Sequence, residues 1–137
     1  MKKYGFTIIE ILVAIVLLGI AIVSLLAANT SFTAANGAGA DLSTAEFLAE
    51  QIREQTAMKA YNDLSAYNGK TYSPPIGANG EVLNAFSSYT QQITVKNVKD
   101  NDFTSDGDTS SHFVKITVKI LLSGKEISSA SWIRAKY

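Results

Sequence analysis

The sequence predicts an α+β chain in which a long N-terminal helix lies, through its second half, on a C-terminal antiparallel sheet of about three to four strands. Three observations predict it. Residues 6–28 form an apolar run with a single charge, Glu10. Ala45, Leu48, Ala49 and Ile52 recur at helical spacing toward Met58. Val114, Ile116, Val118, Ile120 and Leu122 alternate with Lys115, Thr117 and Lys119, the pattern of a half-buried strand.

Composition narrows the function before any motif does. With the apolar run set aside, the remaining part of the 137 residues suffices for one modest core. The chain has 12 basic and 12 acidic residues and a formal charge of zero, which gives no footprint for nucleic acid. Cysteine is absent, so neither disulfides nor thiol chemistry is available. His112 is the single histidine, no Ser-His-acid set can be placed, and no phosphate loop or dinucleotide fingerprint occurs. An enzyme is therefore not expected.

The elements follow in order. Residues 1–5 form a short leader in which Lys2 and Lys3 favour a cytoplasmic N-terminus. At about 1.5 Å per residue, residues 6–28 are long enough to cross most of a bilayer core once, as a transmembrane helix. Glu10 sits near the start of that run. A carboxylate inside an apolar layer costs about 2.5–3.5 kcal/mol even on lenient scales, and such groups usually have a partner. The competing reading is an ordinary signal peptide, with Ala27-Ala28 as its cleavage site, ahead of a secreted binding domain.

Gly5-Phe6-Thr7-Ile8-Ile9-Glu10, followed by the unbroken apolar helix, resembles the N-terminal signature of type IV pilins and type II secretion pseudopilins. The resemblance spans roughly residues 1–28. It implies cleavage between Gly5 and Phe6 by a membrane-embedded prepilin peptidase, with methylation of the new amine on Phe6. It also implies that Glu10 neutralises the N-terminal amine of a neighbouring subunit during assembly. The resemblance further implies a non-enzymatic filament subunit with the pilin fold, whose partners are the peptidase, other subunits and an inner-membrane assembly platform. Its place would be the bacterial inner membrane, with the C-terminal domain periplasmic, and then the filament. Short length, the helix from Ala45 to Leu64 and the absence of proline before Pro74 point to a minor rather than a major subunit. Secretion, adhesion or motility, and DNA uptake are not distinguished by this signature.

Residues 29–64 read as a periplasmic extension of the helix. Ala27, Ser31, Ala35 and Gly39 place small residues four apart on one face. Asn36-Gly37-Ala38-Gly39-Ala40 predicts a weak point, a bend or local melting, because each glycine costs close to 1 kcal/mol relative to alanine. Ser43-Thr44-Ala45-Glu46 then reads as a capping box, with Leu42 and Phe47 as its hydrophobic staple, and the helix should end near Tyr61-Asn62-Asp63.

Residues 65–137 read as the globular sheet domain. Its first part, to Ser88, is expected to be loop, with Asn68-Gly69, Ser73-Pro74-Pro75 and Asn79-Gly80 as turns and a short strand at Glu81-Val82-Leu83. Tyr89 to Lys96 alternates as a strand, as does Val114 to Leu122. Ser123-Gly124 then turns the chain into a partner strand from Lys125 to Ala135. Tyr61, Tyr67, Tyr72, Tyr89 and Trp132 are assigned to core and sheet packing.

Between these strands lies an acidic segment. Asp100, Asp102, Asp106 and Asp108 offer the hard oxygen ligands that calcium prefers, but the spacing is not that of an EF-hand loop. The competing reading is a solvated connection in which Asp and Gly serve as turn residues. No other cofactor is expected.

Overall fold

The computed structural model describes residues 5–136; Lys2 and Lys3 lie outside the described residues. Helix α1 runs Ile8–Ala57. It is followed by a 3-10 turn at Tyr61–Tyr67, strand β1 (Thr71–Tyr72), a second 3-10 turn at Asn84–Phe86, and strands β2 (Tyr89–Lys99), β3 (Asp102–Asp106), β4 (Phe113–Leu122) and β5 (Lys125–Ala135). The chain divides into two compact units, Met1–Ala40 and Asp41–Tyr137.

In the first unit every described residue is helical from Ile8 onward, and the apolar side chains are exposed along its whole length. The helix is long and apolar enough to cross a membrane, by length and composition alone. Its hydroxyls bond inward. Ser24, Thr30, Ser31 and Thr33 each donate to the carbonyl four residues back, so these four hydroxyls need no water. The local melting expected at 36–40 does not occur, and helix is continuous there. Glycine weakens a helix but removes no donor, and neither proline nor a competing cap stands nearby to end it. For the same reason Ser43 and Thr44 cap nothing: they are interior to α1, and Thr44 bonds instead with the Tyr89 hydroxyl.

The second unit is α+β: the last turns of α1 cover one face of a five-stranded antiparallel sheet. Strand order is β1-β2-β4-β5, with β3 paired to the far end of β2. β2 and β4 pair in continuous register from Tyr89↔Leu122 to Val98↔Phe113. That register puts Ile93, Val95, Ile116, Val118 and Ile120 on the helix-covered face, where Ala45, Leu48, Ala49 and Ile52 meet them. Leu64 from the first 3-10 turn completes the core, with Tyr61, Tyr67, Tyr72 and Trp132 packed at its margin. The β4–β5 hairpin closes through Ser123 (φ 49) and Gly124 (φ 83), the paired left-handed conformations of a type I′ turn.

Four further expectations need correction. The sheet has five strands rather than three or four, because β1 and β3 add short pairings that the alternation pattern does not reach. The acidic segment is not all loop: Asp102–Asp106 is β3, folded back on β2. Glu81-Val82-Leu83 forms no strand, only an isolated bridge from Val82 to Ile76. Finally, α1 stops at Ala57, short of Tyr61.

Arg134 accounts for that stop. Its guanidinium donates to the carbonyls of Thr56 at 2.7 Å and Ala57 at 3.1 Å, and to Lys59 at 3.4 Å, satisfying the last turn from the opposite end of the sequence. A cation at a helix C-terminus also meets the negative end of the helix dipole. Arg134→Ala is expected to destabilise the folded head by about 1–2 kcal/mol, since it removes charge-assisted bonds to the part-buried Thr56 carbonyl and the exposed Ala57 carbonyl at the helix end. Thermal unfolding followed by circular dichroism checks this, and an unchanged midpoint would contradict it.

Candidate functional site

The N-terminal segment is built around Thr7. Glu10 N–H lies 3.1 Å from Thr7 O and 3.3 Å from Thr7 Oγ1, and Ile11 N–H lies 3.2 Å from Thr7 O. Thr7 is therefore the N-cap of α1, and Glu10 occupies the third helical position. The spacing Thr-x-x-Glu is a capping signature legible in the sequence itself, a role for Thr7 that attention to the charge of Glu10 alone misses. The cap has a consequence for the chain before it. Gly5 and Phe6 stay outside the helix, so the peptide bond between them is not locked into the first turn.

Nothing in the chain's own fold requires glycine at position 5. A Cβ built there meets no atom within 4 Å. Phe6 is 80% exposed and touches no core. Glu10 sits in the first turn, where a carboxylate is favoured by the helix dipole. Among the described residues it has no ion-pair partner. With Phe6, Ile11, Ala14, Ile15 and Leu18 it lines a shallow apolar concavity on one face of α1. A single carboxylate is thus displayed among apolar side chains, with no ion partner among the described residues.

Residues 1–26 match the family model of the prokaryotic N-terminal methylation motif. The motif implies processing by a prepilin peptidase, and it covers Gly5, Phe6 and Glu10. No curated protein and no solved structure matches this chain.

The acidic segment has a different geometry. Asp100 accepts from the His112 amide at 2.9 Å, and its other oxygen lies 2.7 Å from His112 Nδ1. Asp102 accepts from the Thr104 amide and hydroxyl and from the Ser105 hydroxyl. Asp106 pairs with Lys96 at 3.0 Å, and Asp108 accepts from the Ser110 amide and hydroxyl. The four carboxylates therefore turn to four separate sets of donors, and among the described residues no three acidic or histidine side chains converge on one point. Gly107 has its own explanation: a Cβ there would lie 2.6 Å from the Val98 carbonyl carbon and oxygen, so the hairpin admits only glycine. Ser111 reinforces the closure by donating to Val98 O.

These bonds hold carboxylates in the charged form. Bonds from Ser105 and Thr104 bring Asp102 from 3.8 down to about 2. Those from His112 lower Asp100, and those from Ser110 lower Asp108. A carboxylate whose folded pKa is depressed stabilises the fold above its unfolded pKa and loses that contribution as pH falls through the folded value. The 100–112 hairpin is thus expected to be intact above pH 4 and to loosen progressively toward about pH 2. Amide exchange at Thr104 and Ser110, measured across that range, checks it; equal protection at both ends would contradict it.

Proposed function

We propose that this chain is a structural subunit of a type IV pilus or type II secretion pseudopilus, of minor rank. The carrying observation is Glu10, a carboxylate on an exposed apolar helix without an ion partner among the described residues, inside a segment matching the N-terminal methylation motif. In this reading prepilin peptidase cuts between Gly5 and Phe6, where the Thr7 cap leaves the backbone outside the helix, and the amine of Phe6 is methylated. The new cation stands at the start of an apolar helix and the carboxylate of a neighbour's Glu10 neutralises it. Each charge relieves the other's desolvation, and the pairing sets the axial step between subunits. The span from Ile11 to Ala28 anchors the chain in the inner membrane, with the head on the periplasmic side, and then becomes filament core. Ala27, Ser31, Ala35 and Gly39 allow neighbouring helices to approach closely.

Cell fractionation tests the assembly reading. In cells that carry a pilus or pseudopilus machine, the chain should appear in sheared filaments as well as in the inner membrane. Recovery solely as a free periplasmic protein starting near Asn29 would overturn the reading in favour of a secreted domain.

A further inference from the structure

β5 closes one side of the sheet and is paired along one flank only, to β4. It is 11 residues long, whereas the strand at the opposite edge, β1, has two. Natural sheet edges are blunted by brevity, proline, bulges or charge. β5 has a bulge near Glu126, where register shifts opposite Ile120 and Leu121. From Ile127 to Ile133, however, it carries neither charge nor proline. Among the described residues no loop or side chain bonds to the outward backbone groups of that stretch.

The open flank borders a groove between β5 and α1. Ala49, Ala130 and Trp132 supply its small and apolar surface, and Glu46, Glu50 and Arg53 supply its charged wall. Glu50 is tied to Arg53 at 3.4 Å, while Glu46 has no ion partner among the described residues. The groove therefore offers hydrogen-bonding backbone, an apolar trough and one unpaired negative charge.

The geometry points to β5 as the docking edge for an extended segment of another protein, which joins the sheet as a further strand. Its alternate side chains are small or apolar and enter the groove, and a lysine or arginine meets Glu46. Strand addition of this kind takes affinity from main-chain bonds and specificity from every second side chain. A second copy's β5 does not bring the required cation, since Lys125 lies beyond the bulge and Arg134 is bound to α1 carbonyls.

The test uses the full chain in detergent micelles, hydrogen exchange read by mass spectrometry, and two peptide probes with blocked ends, TVTVTKT and TVTVTET, in which the charged residue shares a face with the valines. The lysine peptide should slow exchange across residues 127–133 and act at about fivefold lower concentration than the glutamate peptide, the scale of one or two cross-strand charge pairs. Glu46→Gln should abolish that preference while keeping the protection. Ala130→Lys, which places a charge in the trough, should lose the peptide's protection of residues 127–133 while β2 and β4 keep their own slow exchange in the same map. Absence of protection by the lysine peptide, or equal action of the two peptides, would overturn the proposal. Protection of β5 that rises with protein concentration and no peptide would also overturn it, by making a second copy the occupant.

Discussion

Glu10→Ala is expected to be cleaved and methylated like the parent chain and yet to enter filaments at a few per cent of its level or less. The substitution leaves the N-cap geometry alone, because Thr7 bonds to the backbone N–H of residue 10 and not to its side chain. It leaves the head alone as well, since Glu10 belongs to the first unit. What it removes, on the proposed reading, is the carboxylate that neutralises a neighbour's N-terminal amine. Breaking one side of a desolvated charge pair costs about 3–5 kcal/mol, and each 1.4 kcal/mol is a factor of about ten in an equilibrium. Immunoblots of sheared filaments, normalised to the membrane pool, read the effect. Incorporation at the parent level would remove the pairing role.

Gln91→Leu is expected to be the most damaging single change to the head for its size. Gln91 is fully buried in β2. Its Oε1 accepts from the Ile76 amide at 2.8 Å, while Nε2 donates to Leu48 O at 2.9 Å and Ile76 O at 3.1 Å. One amide thereby ties α1, the sheet and the 73–83 loop together in the core. Leucine fills nearly the same space but leaves the Ile76 N–H and C=O unpaired and buried, at about 1–3 kcal/mol for each group stranded. A loss of about 3 kcal/mol would lower the melting temperature of a domain this size by about 12–24 °C. Thermal unfolding of the full chain in detergent measures it. A midpoint within about 2 °C of the parent would show that the loop finds other partners.

Gln91 and Arg134 mark the limit of what the chain discloses before it is folded. Alternation at Val114 to Leu122 and the stripe at Ala45, Leu48 and Ile52 are local patterns, and both predict the right element on the right face. Gln91 to Leu48 spans 43 residues and Arg134 to Thr56 spans 78, and neither bond has a local signature. The end of α1 depends on such a bond, which explains why residue propensities alone extend the helix past Ala57. β3 is hidden for another reason. Asp, Ser and Thr read as turn residues, and only the β2 pairing and the Phe103–Phe113 edge contact at 5.0 Å reveal a strand. The N-terminal site is the reverse case. Gly5, Phe6, Thr7 and Glu10 lie within six residues, so the sequence displays them together, and the fold adds the cap that keeps the Gly5–Phe6 bond outside the helix.

The acidic segment shows how one composition supports two readings. Four aspartates within nine residues suggest a cation loop, but each carboxylate is engaged by hydroxyls, amides, His112 or Lys96. Serine and threonine two or three residues after an aspartate are the local signal for such side-chain-bonded turns.

The mass and N-terminal sequence of the mature chain, from cells that express a prepilin peptidase, test the central claim most directly. The account predicts a chain that begins at Phe6 with one added methyl group, and a Gly5→Val variant that stays uncut while its head melts as before. A mature chain beginning near Asn29, or an intact Met1 in the presence of the peptidase, would contradict it.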